Sequence, residues 1–140
     1  MLKRTDEFSF MLRVSTISGA GIGVFALHGI AQGVWLEVFP RGYRSRKFKG
    51  SELPEPLRSY CTAKPNDLYA APRAFNRMSI GWYLNHSEAP NVVWDDDLDG
   101  YAAARDIAEG EELFIDYNLF EEPLEKKGAY YAALPAATED

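Results

Sequence analysis

Three separate stretches of the sequence decide the fold. They are GIGVFA at residues 21–26, WYLNHSEAPN at residues 82–91 and ARDIAEGEELFIDY at residues 104–117. The first places two glycines directly before a β-type run, and the second is polar and contains a proline. The third ends in an apolar run followed by an acid and a tyrosine. Each stretch alone has an ordinary structural explanation, as a tight turn, a polar loop or a packed strand end.

Short β-type runs separated by turn residues surround these stretches. The predicted strands lie at residues 8–16, 24–27, 34–39, 91–94, 101–104 and 113–115. Residues 40–50 are basic and predict an exposed loop or ribbon. Short helices are predicted at residues 54–61, 76–84 and 123–134. The sequence therefore predicts a mostly β fold with short helices.

Length and composition limit the classes of protein that the sequence can encode. A chain of 140 residues with 46% hydrophobic content fits one domain around a single core. Its one cysteine, Cys61, excludes an internal disulfide and a multi-cysteine zinc cluster, and no metal site is expected. The first residues lead into no uninterrupted apolar run, so we expect neither a secretory signal nor a membrane span, and a cytoplasmic location.

The net charge of −6 argues against direct binding of nucleic acid, which would require a basic surface. Residues 1–60 hold nine Lys or Arg and five Asp or Glu (+4), whereas residues 61–140 hold six and sixteen (−10). An acidic surface would attract a cationic partner such as a lysine-rich peptide. A merely solvated face explains the same imbalance.

Residues 95–106 imitate a calcium-binding loop. Asp95, Asp97 and Asp99 occupy its first, third and fifth positions, and Gly100 and Asp106 occupy the sixth and twelfth. The flanking residues are of β type and do not form the amphipathic helices that such a loop requires. We therefore expect a hairpin turn here and keep a calcium-binding β domain as a remote alternative.

Other local patterns give weaker indications of chemistry. Adjacent residues such as His86 and Ser87 rarely point their side chains at each other, so they do not predict a hydrolase pair. A lone cysteine such as Cys61 is more often an apolar filler than a nucleophile. The glycine run at residues 19–23 lacks the spacing and the following helix of a dinucleotide-binding loop.

Taken together and in this order, the three stretches resemble the SET-domain protein-lysine methyltransferases. The resemblance rests on the Gly-x-Gly turn, the Asn-His-Ser-x-x-Pro-Asn motif and the Gly-Glu-Glu-Leu-x-x-Asp-Tyr motif, and it spans about residues 13–117. It implies a SET-domain β-clip of small curved sheets, with knot-like threading near the active site. One domain is then expected over residues 1–140, with a variable insert at about 51–78 and a closing C-terminal tail at 118–140.

The resemblance also implies an enzyme that transfers a methyl group from S-adenosyl-L-methionine to a lysine side chain. Tyr117 is implied as the catalytic residue, because its phenol can orient the lysine amine. Asn85 would bind the amino-acid end of the cofactor, and His86 and Phe120 would lie near its adenine. The full set implied to bind the cofactor is Gly21, Ile22, Gly23, Asn85, His86 and Phe120.

The sequence departs from the family pattern at several positions. Glu88 stands where many members carry a cysteine, and no cysteine follows Tyr117, so a zinc-bound cap cannot form. Trp82 replaces the usual arginine before the Asn-His motif, and Ile115 stands where some relatives carry an aromatic residue that helps set the degree of methylation. The missing zinc region predicts a small stand-alone SET domain of bacterial or viral type.

The expected substrate is a basic, lysine-containing protein or peptide, and we expect association into a homodimer that completes the substrate groove. The alternative is a non-catalytic SET-fold module that binds peptides as an adaptor.

Overall fold

A computed structural model describes residues 4–120 of the chain, without the side chains of residues 119 and 120. Within this range the structure consists mostly of short strands, as predicted. The strands are β1 (Phe10–Val14), β2 (Ile22–Ala26), β3 (Arg46–Lys49), β4 (Thr62–Lys64), β5 (Leu68–Ala71), β6 (Asn85–His86), β7 (Val92–Asp95), β8 (Gly100–Ala103) and β9 (Glu112–Ile115). The helical elements are one α-helix, α1 (Glu55–Arg58), and 3₁₀ turns at Gly50–Glu52, Phe75–Arg77, Ile80–Tyr83 and Tyr117–Phe120.

The first sheet brings the second and third motif stretches side by side. Its strand order is β1-β2-β9-β6. Strands β1, β2 and β9 pair antiparallel, whereas β6 pairs parallel to β9, with Asn85 opposite Phe114 and His86 opposite Ile115. A parallel pair needs a long crossover between its strands, and here the crossover contains the β7–β8 hairpin. The knot-like threading implied by the resemblance stays a prediction.

The hairpin predicted around residues 99–100 is confirmed. Strands β7 and β8 pair antiparallel, and Asp99 adopts a positive φ of 50°, which Asp tolerates better than most residues. The Asp95 carboxylate accepts hydrogen bonds from the N–H groups of Asp97 (2.9 Å) and Leu98 (3.1 Å). Asp95 therefore stabilises the turn itself.

The second sheet, β3-β5-β4, is antiparallel and occupies much of the stretch between the glycine turn and the Asn-His motif. The sequence predicted only a loop or ribbon at residues 40–50 and no strands at residues 62–71. Strands β4 and β5 are joined by a tight turn in which Asn66 (φ 65°) and Asp67 (φ 59°) adopt left-handed backbone conformations. Asn and Asp are favoured in such turns, so residues 65–67 carried a hairpin signal that the sequence analysis missed.

The strand predicted at residues 34–39 was wrong. This segment forms only an isolated bridge between Trp35 and Ala102. Turns at residues 32–33 and 37–38 interrupt the extended backbone on both sides, so the segment borders β8 without a regular ladder.

The prediction of one helix at residues 76–84 was also wrong. This segment contains two separate 3₁₀ turns, Phe75–Arg77 and Ile80–Tyr83. Met78 lies between them in an extended conformation (φ −76°, ψ 136°), which ends the first turn. The helix predicted at residues 54–61 forms as the single turn α1 with proline near its start. The helix predicted at residues 123–134 lies outside the described residues.

The core lies between the first sheet and the β7–β8 hairpin. Its most buried side chains, each at most 1% exposed, belong to Val24, Ile30, Leu36, Val38, Val92, Ile107 and Leu113. Within residues 4–120, no helix combines the length and the apolar character needed to cross a bilayer.

Candidate active site

A cavity of about 1410 Å³ lies where β6 and β9 run side by side. Three residues singled out from the sequence, Asn85, His86 and Tyr117, line it together. Ligand cavities in proteins commonly measure roughly 300–1,000 Å³, so this one has room for a cofactor and part of a second ligand.

The side-chain amide of Asn85 is held in one orientation by two acceptors. Its Nδ2 donates to the carbonyl oxygen of Ile22 and to Oε2 of Glu112, both at 3.1 Å. A carbonyl and a carboxylate can only accept, so the contacting atom must be the amide nitrogen. The Asn85 amide oxygen therefore remains as an acceptor at the cavity.

Glu112 is a buried carboxylate, 3% exposed, that joins β9 to the start of the glycine turn. Besides the bond from Asn85, it accepts hydrogen bonds from Oγ of Ser15 (2.8 Å) and from the N–H (2.8 Å) and Oγ1 (2.6 Å) of Thr16. Burial alone raises the pKa of Glu112, but these hydrogen bonds outweigh it and lower the pKa below its ordinary value. The carboxylate is therefore ionised at neutral pH and fixes the Asn85 amide.

Glycine is required at the two ends of the Gly-x-Gly turn for different structural reasons. A Cβ at Gly23 would lie 2.2 Å from Oε2 of Glu112, so only glycine leaves room for the carboxylate. Gly21 has a positive φ of 78° and open space where a Cβ would point, so its requirement is conformational. The carbonyls of Gly21 and Ile22 accept hydrogen bonds from Ser15 N–H and from Asn85.

Within residues 4–120, the cavity lining contains residues 17–20 and not Gly21, Ile22 or Gly23. The sequence analysis missed residues 17–20 as a cavity wall, although Gly19 belongs to the same glycine run and has a positive φ of 81°. Cofactor contact by Gly21, Ile22 and Gly23 stays a prediction.

His86 and Tyr117 are tied to each other across the parallel strand pair. The backbone N–H of Tyr117 donates to Nδ1 of His86 at 3.0 Å, and the ring centroids are 5.3 Å apart. The backbone N–H can only donate, so Nδ1 of His86 is the acceptor in this contact. The Tyr117 hydroxyl donates to the carbonyl oxygen of Leu84, which fixes the phenol at the cavity.

Asn91, the last residue of the second motif, is a positioning residue that the sequence analysis did not identify. It is 1% exposed. Its Nδ2 donates to the carbonyl of Glu112, and its Oδ1 accepts from the N–H of Phe114, both at 2.8 Å. These bonds replace a missing ladder partner and fix β9 at the point where it carries Glu112 toward Asn85.

Another part of the cavity lining is aromatic. Nε1 of Trp82 donates to the Tyr43 hydroxyl at 3.2 Å, and the Trp82 ring packs edge-on against Phe39. Burial raises the pKa of the Cys61 thiol to about 11, so this lining residue is a poor nucleophile at neutral pH. Phe120 ends the last 3₁₀ turn, but its side chain lies outside the described residues, and its contact with adenine stays a prediction.

A family model described as the SET domain matches residues 21–118. The chain belongs to the SET-domain family. This membership explains why the glycine turn, the Asn-His segment and the Asp-Tyr strand end meet at one site in the SET domain described above. The small stand-alone bacterial or viral type stays a prediction.

Comparison with solved structures finds neighbours of low sequence identity. A crystal structure of a candidate histone methyltransferase from Plasmodium falciparum is 21% identical, covers 84% of this chain and 95% of its own, and has a TM-score of 0.49. A structure of ctPRC2 in an autoinhibited conformation bound to S-adenosylmethionine is 19% identical over 78% of this chain and 15% of its own, also with a TM-score of 0.49. A search of curated proteins found no match.

Proposed function

We propose that this SET domain is an S-adenosylmethionine-dependent protein-lysine N-methyltransferase. The observation that carries the proposal is the meeting of Asn85, His86 and Tyr117 in one cavity, through the parallel pairing of β6 with β9. Tyr117 lies 31 positions after His86, so the fold and not sequence proximity brings it to the adjacent pair Asn85 and His86.

The residues present fit the amino-acid end of the proposed cofactor. The Asn85 amide oxygen is an acceptor suited to an ammonium group, because its nitrogen is already occupied by Ile22 and Glu112. Gly19 lines the cavity with no atom within 4 Å of the position that a Cβ would take, so its backbone is open to close approach by a ligand. When bound, S-adenosylmethionine would supply a methyl group on a sulfonium sulfur. Its transfer to a neutral lysine amine would break the methyl–sulfur bond and leave the sulfur as a neutral thioether.

Tyr117 is proposed to orient the lysine amine. The Tyr117 hydroxyl donates its proton to the Leu84 carbonyl. Toward a second group, the phenol oxygen therefore acts as an acceptor. An N–H of the amine donated to this oxygen would leave the nitrogen lone pair available for reaction. The fixed position of the phenol means that little ordering remains to be done when the substrate arrives.

The apolar lining beside Tyr117 is proposed to favour the neutral form of the incoming lysine amine. Leu84 and Ile115 line the cavity and are buried. A free lysine has a pKa of about 10.4, and an apolar surrounding lowers it because the charged form loses its hydration. The neutral amine that methyl transfer requires is therefore favoured at this wall.

The test measures the transfer of a labelled methyl group from S-adenosylmethionine to a panel of lysine-containing proteins, with cofactor binding measured separately by calorimetry. Tyr117→Phe is expected to bind cofactor normally and to lose transfer by about a hundredfold. Tyr83→Phe is the matched control, because the Tyr83 hydroxyl contacts Met78 and does not line the cavity. Absence of cofactor binding by the unmodified chain would refute the proposal, and peptide binding without transfer would favour the adaptor alternative.

A further inference from the structure

One wall of the cavity belongs to a basic segment of an otherwise acidic protein. Residues 41–77, which contain β3, β4 and β5, hold nine Lys or Arg and three Asp or Glu. Residues 78–118 hold one Arg and ten Asp or Glu. These two segments of the chain therefore carry net charges of opposite sign.

Three lysines share one face of the sheet β3-β5-β4. Lys47 lies in register with Ala70 and Thr62, and Lys49 lies in register with Leu68 and Lys64. Residues directly opposite each other share a face, and so do alternate residues along a strand. Lys47, Lys49 and Lys64, called here the lysine face, therefore point to one side. The residues between them on that side are neutral: Thr62, Leu68 and Ala70.

The lysine face reaches the cavity that contains Tyr117. Lys47 and Lys64 both line this cavity, and within residues 4–120 neither has an ion-pair partner. Of the two acids in the same lining, Asp99 already pairs with Arg44 at 3.3 Å. Glu88 is the other. Like charges gathered in a cleft focus a positive potential, which attracts an anionic ligand.

We propose that the lysine face binds acidic residues that flank the target lysine of an extended peptide substrate. This inference rests on the proposed function, since it takes Tyr117 as the end point of the target lysine. Lys49 and Lys64 are two strands apart, about 10 Å between their Cα atoms, so their side chains can reach carboxylates spaced along a peptide. The inference differs from the basic substrate expected from the charge gradient of the sequence, because the acidic residues supply only part of the lining.

A peptide explains the surface better than a nucleic acid does. The net charge of the chain is −6, and the tip of the β7–β8 hairpin carries four aspartates within residues 95–99, of which Asp99 lines the cavity. A polyanion that extended along the cavity would meet this negative charge, whereas a short acidic segment beside a lysine needs to contact only the lysine face.

The test uses two fluorescein-labelled peptides with one central lysine, whose neighbours are glutamate in one and arginine in the other. Anisotropy titrations with the full chain are expected to show roughly tenfold tighter binding of the glutamate peptide at low salt, and a smaller difference at high salt. Lys47→Glu combined with Lys64→Glu is expected to reverse this preference, and Lys47→Gln combined with Lys64→Gln to abolish it. Arg77→Glu is the matched control, because Arg77 is an exposed cation of the same segment that lies outside the lining.

Each binding result either supports or overturns the lysine-face inference. Equal or tighter binding of the arginine peptide, or no binding of either peptide, would overturn the lysine-face inference. Displacement of the glutamate peptide by a single-stranded DNA oligonucleotide at lower concentration than by unlabelled peptide would overturn it in favour of nucleic acid. Methyl transfer assayed in parallel separates the proposals. If methyl transfer prefers the arginine peptide, the proposed methyltransferase is supported and the lysine-face inference is rejected. If the glutamate peptide binds through Lys47 and Lys64 but is not methylated, the lysine-face inference is supported and the methyltransferase is rejected.

Discussion

The side-chain amide nitrogen of Asn85 lies 3.1 Å from Oε2 of Glu112, and this contact connects the candidate active site to the interior of the first sheet. The same carboxylate also accepts hydrogen bonds from Ser15 and Thr16, in the loop that leads to the glycine turn. One buried charge therefore sets the relative positions of two motif stretches. Several consequences of this arrangement can be measured.

Asn85→Asp would place two carboxylates in direct contact, because the new side chain would meet Glu112 where the amide nitrogen now lies. Repulsion raises the pKa of the pair, so the folded form would be favoured at low pH and lose stability as pH rises through the raised pKa. A loss of about 1 to 4 kcal/mol at neutral pH is expected, with partial recovery near pH 5. Chemical unfolding at several pH values measures it. Asn85→Ala should show no such recovery, and the same pH profile for both variants would contradict the contact.

Glu112→Gln tests the lowered pKa of the buried carboxylate. Because the pKa in the folded state is depressed, Glu112 contributes stability above its unfolded pKa of about 4.3, and the contribution is lost as pH falls through the folded value. The variant should lose about 1 to 3 kcal/mol at neutral pH, and the difference from the unmodified chain should shrink in acid.

The neighbouring acid is the matched control for this substitution. Glu111 accepts hydrogen bonds from the side chain of Arg105 and the N–H of Ala108 on the surface. The bond from Arg105 lowers the pKa of Glu111, but exposed ion pairs stabilise little, so Glu111→Gln should cost under about 1 kcal/mol. Equal losses of stability in the two variants would contradict a special structural role of the buried Glu112 carboxylate.

Gly23→Ala and Gly21→Ala should destabilise the protein for different reasons. At Gly23 the new methyl group would collide with the Glu112 carboxylate, at about 1 to 3 kcal/mol. At Gly21 it would meet open space but a left-handed backbone, at about 1 to 2 kcal/mol. Combining each with Glu112→Ala distinguishes the causes, because only Gly23→Ala should show a coupling energy, of about 0.5 kcal/mol or more. Thermal unfolding of the unmodified chain, the three single variants and the two double variants supplies this energy, and coupling at Gly21 would contradict the assignment.

Cys61 should react slowly with iodoacetamide. Its pKa of about 11 leaves roughly one thiol in a thousand as thiolate at pH 8, and the rate should rise about tenfold per pH unit up to pH 10. Mass spectrometry reports the label at a single position, because the chain has one cysteine. In denaturant the thiol should react rapidly at pH 8, and equally rapid labelling of the folded protein would contradict its burial.

Local turn chemistry explains which parts of the fold could be predicted. Asp99-Gly100 between two β-type runs predicted the β7–β8 hairpin. Of this pair only Asp99 adopts a positive φ, whereas Gly100 begins β8 and lies against the Trp35 side chain. The equivalent signal at Asn66-Asp67 was present but was not used, so β4 and β5 were missed. The segment at residues 34–39 has strand-forming residues, yet neighbouring turns limit it to one bridge.

The sequence by itself determined the membership of the family, the turn that makes the hairpin, and the identities of Asn85, His86 and Tyr117 as candidates. Only the tertiary structure decided that Glu112 fixes Asn85, and that residues 17–20 line the cavity beside the glycine turn. The bonds that decide this join residues 27, 63 and 96 positions apart. Such contacts depend on strand register, which is set by the packing of the whole core, so no local pattern specifies them.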